Sequence, residues 1–330
     1  MRSVSTLAVL VALIGVMSVS RMHAQLPPPA PTGPPAGPGT WAEKTHTEPR
    51  SEAGSAVANG KLYVMGGLAR GLEASTLTQE WDPKTDKWRD VAPMPAPLSH
   101  PNAAVMNGKI YVVGGFLKQV HVGAQTAFFE YDPAKNKWRK LAPLPSPRGS
   151  VAVAVVDGKI HAIGGRNPDL VTIANHDVYD PKTNAWTAAA PLPQPRDHLA
   201  FGVIDGKIYI VGGRTNTRYD SVNRHDIYDP ATNSWTSGPP LPITRSGGAS
   251  VVYKGQLLVF GGECVVATER AWPAVEGYDP KTGKWSTFAS MPMGKHAMSA
   301  ATDGDTVYLT GGSPICGLAY TDSLMTFRVP

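Results

Sequence analysis

The stretch Ile204-Asp-Gly-Lys-Ile-Tyr-Ile-Val-Gly-Gly213 decides the architecture. An Asp-Gly pair supplies a tight turn, a short β-branched and aromatic run follows, and two glycines end it. The same phrase ends at Gly66-Gly67, Gly114-Gly115, Gly164-Gly165, Gly261-Gly262 and Gly311-Gly312, at intervals of 48, 50, 48, 49 and 50 residues between first glycines. A period near fifty closed by a double glycine is a repeat signature of propeller type.

Around that phrase each unit reads as four strands, lettered a to d. Strand a enters a two-residue turn, Asn59-Gly60, Asn107-Gly108, Asp157-Gly158, Asp205-Gly206, Lys254-Gly255 or Asp303-Gly304. Most of these pairs favour the positive φ values of a type I′ hairpin. Strand b is apolar on both faces, as in Ile110-Tyr-Val-Val113, which suits a sheet packed between two others. Strand c ends in Trp81-Asp-Pro, Tyr131-Asp-Pro, Tyr179-Asp-Pro, Tyr228-Asp-Pro or Tyr278-Asp-Pro. Three residues past each proline stand Asp86, Asn136, Asn184, Asn233 and Gly283, types that tolerate a left-handed backbone. Strand d opens on Trp88, Trp138, Trp186, Trp235 and Trp285.

Double glycine, Tyr-Asp-Pro and a Trp seven residues after the aromatic resemble the Kelch repeat family over residues 41–330. The resemblance implies an all-β, six-bladed β-propeller of four-stranded blades around a central channel. The sixth unit lacks its Tyr-Asp-Pro and Trp because the chain ends at Pro330. One unpaired tryptophan remains, Trp41, nine residues before Arg50, where Trp138, Trp186 and Trp235 lie ten before Arg148, Arg196 and Arg245. The segment around Trp41 is therefore expected to be the fourth strand of the last blade, closing the ring without a free edge.

Outside the propeller, Arg2 followed by the apolar run Leu7–Val16 and Ala24 reads as a signal peptide over 1–24. That run is short for a spanning helix, so export to the periplasm or the extracellular space is expected, with no stable membrane insertion after cleavage. Residues 25–40 hold seven prolines in sixteen positions and read as a spacer. The 34 glycines and 31 prolines of the 330-residue chain suit many short strands. The formal charge of +5 has no basic run behind it, which argues against nucleic acid. A monomer is expected.

The b–c loops (68–76, 116–126, 166–174, 214–223, 263–274 and 313–322) share one face with the d–a links, and their sequences vary. Function is expected there. Sixteen residues before each double glycine stand Arg50, Leu98, Arg148, Arg196, Arg245 and Lys295. They read either as struts reaching a neighbouring blade or as a ring attracting an anion. The residue after each double glycine is Leu68, Phe116, Arg166, Arg214, Glu263 or Ser313. With His100 and His198 these positions are candidates for a ligand-binding mouth, with Glu263 and His198 as candidate acid–base groups and Phe116 as its apolar side. The arginines suit a carboxylate or phosphate, so the ligand is expected to be anionic.

No tight metal-ligand spacing is visible among the nine histidines, and neither metal nor cofactor is expected. Cys264 and Cys316 fall in b–c loops of consecutive blades and are expected to pair. The family resemblance implies either a non-catalytic exported module binding a glycan or protein, or an enzyme similar to the sialic-acid mutarotases. Galactose oxidase carries similar blades in a seven-bladed copper domain. Six blades and no spare domain argue against copper chemistry here.

Overall fold

Left-handed residues set the frame of each blade. In five of the six a–b turns both central residues have positive φ, as at Asp205 (49°) and Gly206 (73°). The c–d turns place Asp86, Asn136, Asn184, Asn233 and Gly283 in the same region. The side chain there also ties two blades together. Asn136 accepts the Tyr131 hydroxyl at 2.8 Å and the backbone N–H of Ala92, from the preceding blade, at 2.8 Å. Trp138 Nε1 then donates to the carbonyl of the same Ala92 at 2.8 Å.

The structure, a computed structural model, describes residues 37–118, 120–217, 219–263 and 269–330. The expected signal peptide 1–24, most of the 25–40 spacer and Cys264 lie outside these. Cys316 is disulfide-bonded. Among the described residues no helix is long and apolar enough to cross a membrane.

Six antiparallel four-stranded sheets follow one another, each in the order a-b-c-d. The sixth takes its outer strand from the N-terminal side. Thr40–Lys44 pairs with Leu324–Arg328 and sets Trp41 opposite Phe327, as Trp138 stands opposite Tyr131 in blade 2. Trp41 Nε1 donates to Ala289 O of blade 5 at 3.1 Å, the bond that Trp285 makes to Pro239 O of blade 4 at 3.0 Å. Trp41 thus does in blade 6 what the other strand-d tryptophans do in theirs.

The core lies between blades. Tyr63 and Met65 of blade 1 pack on Ile110, Val112 and Tyr131 of blade 2. Phe260 and Val275 of blade 5 pack on Leu309 and Phe327 of blade 6. Strand b is buried on both faces for this reason. The double glycine lets blades meet edge to edge: a Cβ on Gly164 would lie 2.6 Å from Arg196 O of the next blade. Gly165 N donates to that carbonyl at 3.0 Å.

Candidate functional site

The basic residue before each strand a does not face the channel mouth. Arg148 NH2 reaches Asp177 at 2.6 Å and Ala162 O at 3.2 Å, both in its own blade. Arg196 bonds Gly212 O, Arg224 O and Asp226. Arg245 bonds Glu276 and Arg50 bonds Gln79. All four are at most 2% exposed. The anion-attracting ring is therefore corrected to a set of struts: the main chain ties each residue to the preceding blade, and the side chain crosses its own. Blade 2 has apolar residues at both positions, Leu98 and Phe129, in one core cluster. The repeated His176-Asp177 and His225-Asp226 pairs follow from this, because their aspartates are the strut partners.

Lys295 is the sixth member. Its ammonium donates to Ser323 Oγ, and burial lowers its pKa to about 8 from the usual 10.5. Between those values the unfolded chain holds the extra proton, so stability should rise with pH across that window, by on the order of 2 kcal/mol. Urea midpoints at pH 7.5 and 9.5 test this, and a Lys295→Met variant should lose the rise.

Strand a of all six blades lines a central channel with a cavity of about 420 Å³, walled by residues such as Ala56, Val105, Val155, Val203, Val252 and Ala300. Glu52, His100, Ser150, His198, Gly247 and Ala297 lie at one end of it. Each stands two residues after a strut position, and each has φ between 52° and 65°. Five main-chain bonds link them in a run from Ser150 round to His198. Glu52 N donates to Ala297 O at 2.7 Å, His100 N to Glu52 O at 2.8 Å and Ser150 N to His100 O at 3.4 Å. Gly247 N donates to His198 O at 3.0 Å, and Ala297 N to Gly247 O at 2.9 Å. These interblade bonds hold five non-glycine residues in a conformation that costs about 1–2 kcal/mol each.

Against this ring, the b–c loops bury a polar cluster centred on Arg214. Its Nε donates to Asp197 Oδ1 at 3.0 Å and its NH1 to Glu263 Oε2 at 2.6 Å. The NH2 group lies 3.0 Å from His198 Nε2 and 3.2 Å from His121 Nε2. Arg166 Nε reaches the other oxygen of Asp197 at 2.5 Å, and its NH2 donates to Asn216 O.

Burial would raise the Asp197 pKa, but His198, Arg214 and Arg166 hold it well below the carboxylate range. Burial pushes His198 down, reinforced by Arg214 and opposed by Asp197. It pushes His121 down further, with the other imidazoles and Arg214 adding to it. Both rings are thus neutral acceptors for the guanidinium, and His198 Nδ1–H donates to Asp197 Oδ1 at 2.8 Å. Phe116, fully buried, stands edge-on to His100 and His121 with centroids 5.3 and 5.2 Å away.

Of the residues singled out in the sequence, Arg166, Arg214, Glu263, His198, His100 and Phe116 meet here. Arg148, Arg196 and Arg245 do not. All six that meet are at most 9% exposed, so they form a plug of mutually satisfied groups rather than an open mouth. Arg214 is then a load carrier for two buried carboxylates as well as a candidate site residue.

Three members were not singled out. Asp197 and Glu52 are legible in retrospect as odd residues at repeated positions: Ser51, Ser99, Gly149, Asp197, Ser246, His296 and Glu52, His100, Ser150, His198, Gly247, Ala297. His121 had no such signal, because it comes from a non-repeating loop.

Above the plug the loops expose apolar side chains among charged ones such as Lys118, Asp169 and Asp220. The exposed large hydrophobic residues among those described are Leu117, Val120, Val122, Leu170, Val171, Tyr219, Met293 and Leu318. Met293 lies in a d–a link and the others in b–c loops, so all share one face.

Comparison with known proteins agrees with this architecture. A sequence model of the KLHDC2/KLHL20/DRC7 Kelch-repeats domain matches residues 41–192 and 143–312. The chain belongs to the Kelch-repeat family. Among solved structures it is similar to one titled "Structure of YjhT", at 19% identity and a TM-score of 0.71, over 85% of this chain and 95% of that one. A likeness at this identity speaks for the fold alone. No curated protein matches.

Proposed function

We propose that the chain is an exported recognition module that binds a protein ligand through its b–c loop face. The observation carrying this reading is that, among the described residues, the exposed large hydrophobic ones all lie on that face, since apolar surface gathered on one face marks an interaction site. A polar sugar would match this rim poorly, whereas an apolar protein segment gains from covering Leu117, Val122, Leu170 and Val171. The plug beneath supplies a rigid floor.

A second reading, a mutarotase-type enzyme acting on an acidic sugar, draws on the convergence of Arg166, Arg214, Glu263 and His198. It requires the loop carrying His121 to move aside, because these groups now satisfy one another.

The deciding experiment displays the mature domain to a random peptide library and to an array of acidic and neutral glycans. Apolar peptides should be selected, and a Val122→Asp/Val171→Asp double variant should bind them roughly 30-fold or more weakly, about 2 kcal/mol. Both positions are about half exposed, at 49% and 50%, so the fold should hold. Selection of carboxylated glycans, with no peptide, would replace this reading by the second. Cell fractionation with N-terminal sequencing of the recovered chain tests export.

A further inference from the structure

We propose that His100, His121 and His198 form a binding site for a divalent first-row cation of zinc type, set between the end of the channel and the b–c loops. One ring nitrogen from each lies within 4.8 Å of the other two. His121 Nε2 and His198 Nε2 are 3.4 Å apart. With metal–nitrogen bonds of about 2.0–2.1 Å, the edge of a tetrahedral site is about 3.3–3.4 Å, so this pair already has the spacing of two ligands on one ion. Two imidazole lone pairs brought this close call for a positive centre. Here the NH2 of Arg214 serves both, at 3.0 and 3.2 Å, and a metal ion would take that one contact over.

Two further observations point the same way. His198 is oriented through its other nitrogen by the Asp197 carboxylate at 2.8 Å, the arrangement by which proteins aim an imidazole at a metal. The cluster gathers three carboxylates, Asp197, Glu263 and Glu52, against two guanidinium groups, Arg166 and Arg214. Among the described residues Glu52 has no lysine or arginine within ion-pair distance, and its carboxylate lies 3.2 Å from His100 Nε2. A divalent cation would offset this buried excess of negative charge.

Imidazole donors suit zinc, copper and nickel rather than magnesium or calcium. Three protein ligands leave a fourth position open, as in sites that bind or activate a small molecule. The channel ends on His100 and His198 and offers the ion a way in from the opposite face. None of this depends on what the loop face binds.

The test titrates the full chain, stripped with a chelator, against Zn2+ alone by calorimetry, with native mass spectrometry for stoichiometry. One zinc per chain is expected. His121→Ala should weaken it about 100-fold or more, since even residues that only support a ligand contribute 10–100-fold. Thermal melting of the variant shows that the fold survives, and His198→Gln serves as a second variant. Co2+ in place of zinc should give the visible absorption of a four-coordinate site in wild type and lose it in His121→Ala. Absence of one-to-one binding by wild type would overturn the proposal. So would zinc affinity unchanged in both variants, which would place the ion at surface groups such as His46.

Discussion

A chain that begins at residue 46 is expected to melt roughly 10 °C or more below one that begins at residue 37. The missing residues include Thr40–Lys44, the outer strand of blade 6, so Leu324–Arg328 would become a bare edge. They also include Trp41, which packs on Phe327 and Phe260 at centroid distances of 4.7 and 6.0 Å and ties blade 6 to blade 5 through Ala289 O. Replacing a tryptophan of this kind by alanine costs about 3–5 kcal/mol, and the half-buried position of Trp41 puts Trp41→Ala near the lower end. The loss should exceed the sum of local contacts, because a propeller whose first and last blades separate exposes one of its interblade cores. Differential scanning calorimetry of the two truncations and Trp41→Ala decides it. Equal melting of all three with the intact chain would mean that the ring holds without its closing strand.

The second large effect belongs to the struts. Arg148→Leu should destabilise the protein by about 3–5 kcal/mol, because it leaves Asp177 buried without its cation. The protein itself supplies the rescue. At the corresponding pair in blade 2 stand Leu98 and Phe129, which share an apolar cluster. Arg148→Leu combined with Asp177→Phe should therefore recover most of the loss, since a buried ion pair exchanged whole for well-packed apolar residues is often neutral or stabilising. Denaturant unfolding of the two single variants and the double variant forms a complete cycle. A double variant as unstable as the worse single one would show that the guanidinium's bonds to Ala162 O and Ser146, not the carboxylate, are what the blade needs. None of these variants should change the b–c loop face, because Arg148 is wholly buried.

The repeated parts of this molecule were legible in the sequence because each answers a local demand. Asp205-Gly206 makes a turn that few other pairs can make, and Gly164-Gly165 sits where a Cβ would strike a neighbouring backbone. Even the ring closure, between residues some 290 positions apart, could be read, since Trp41 stands nine residues before its strut where the other tryptophans stand ten before theirs. Six copies of one pattern leave a gap at one end and a surplus at the other, and only one assignment fills both.

The site was legible in half. That Arg166, Arg214, Glu263, His100 and His198 lie near the axis follows from their repeat positions. Whether such side chains point inward, outward or at each other depends on partners that the repeat does not encode. Arg148 and Arg196 turned into their blades because Asp177 and Asp226 lie across the sheet. Arg214 found Glu263 on the next blade, 49 residues on. The sequence by itself determined the number of blades, their hairpins and how they close, because those depend on turn chemistry and spacing repeated along the chain. Only the tertiary structure decided that His121 would meet His198, 77 residues away, and that Arg166 and Arg214 would pair with buried carboxylates. Those outcomes rest on the path of irregular loops and on pairing between blades, where burial compels each charge to find its nearest opposite.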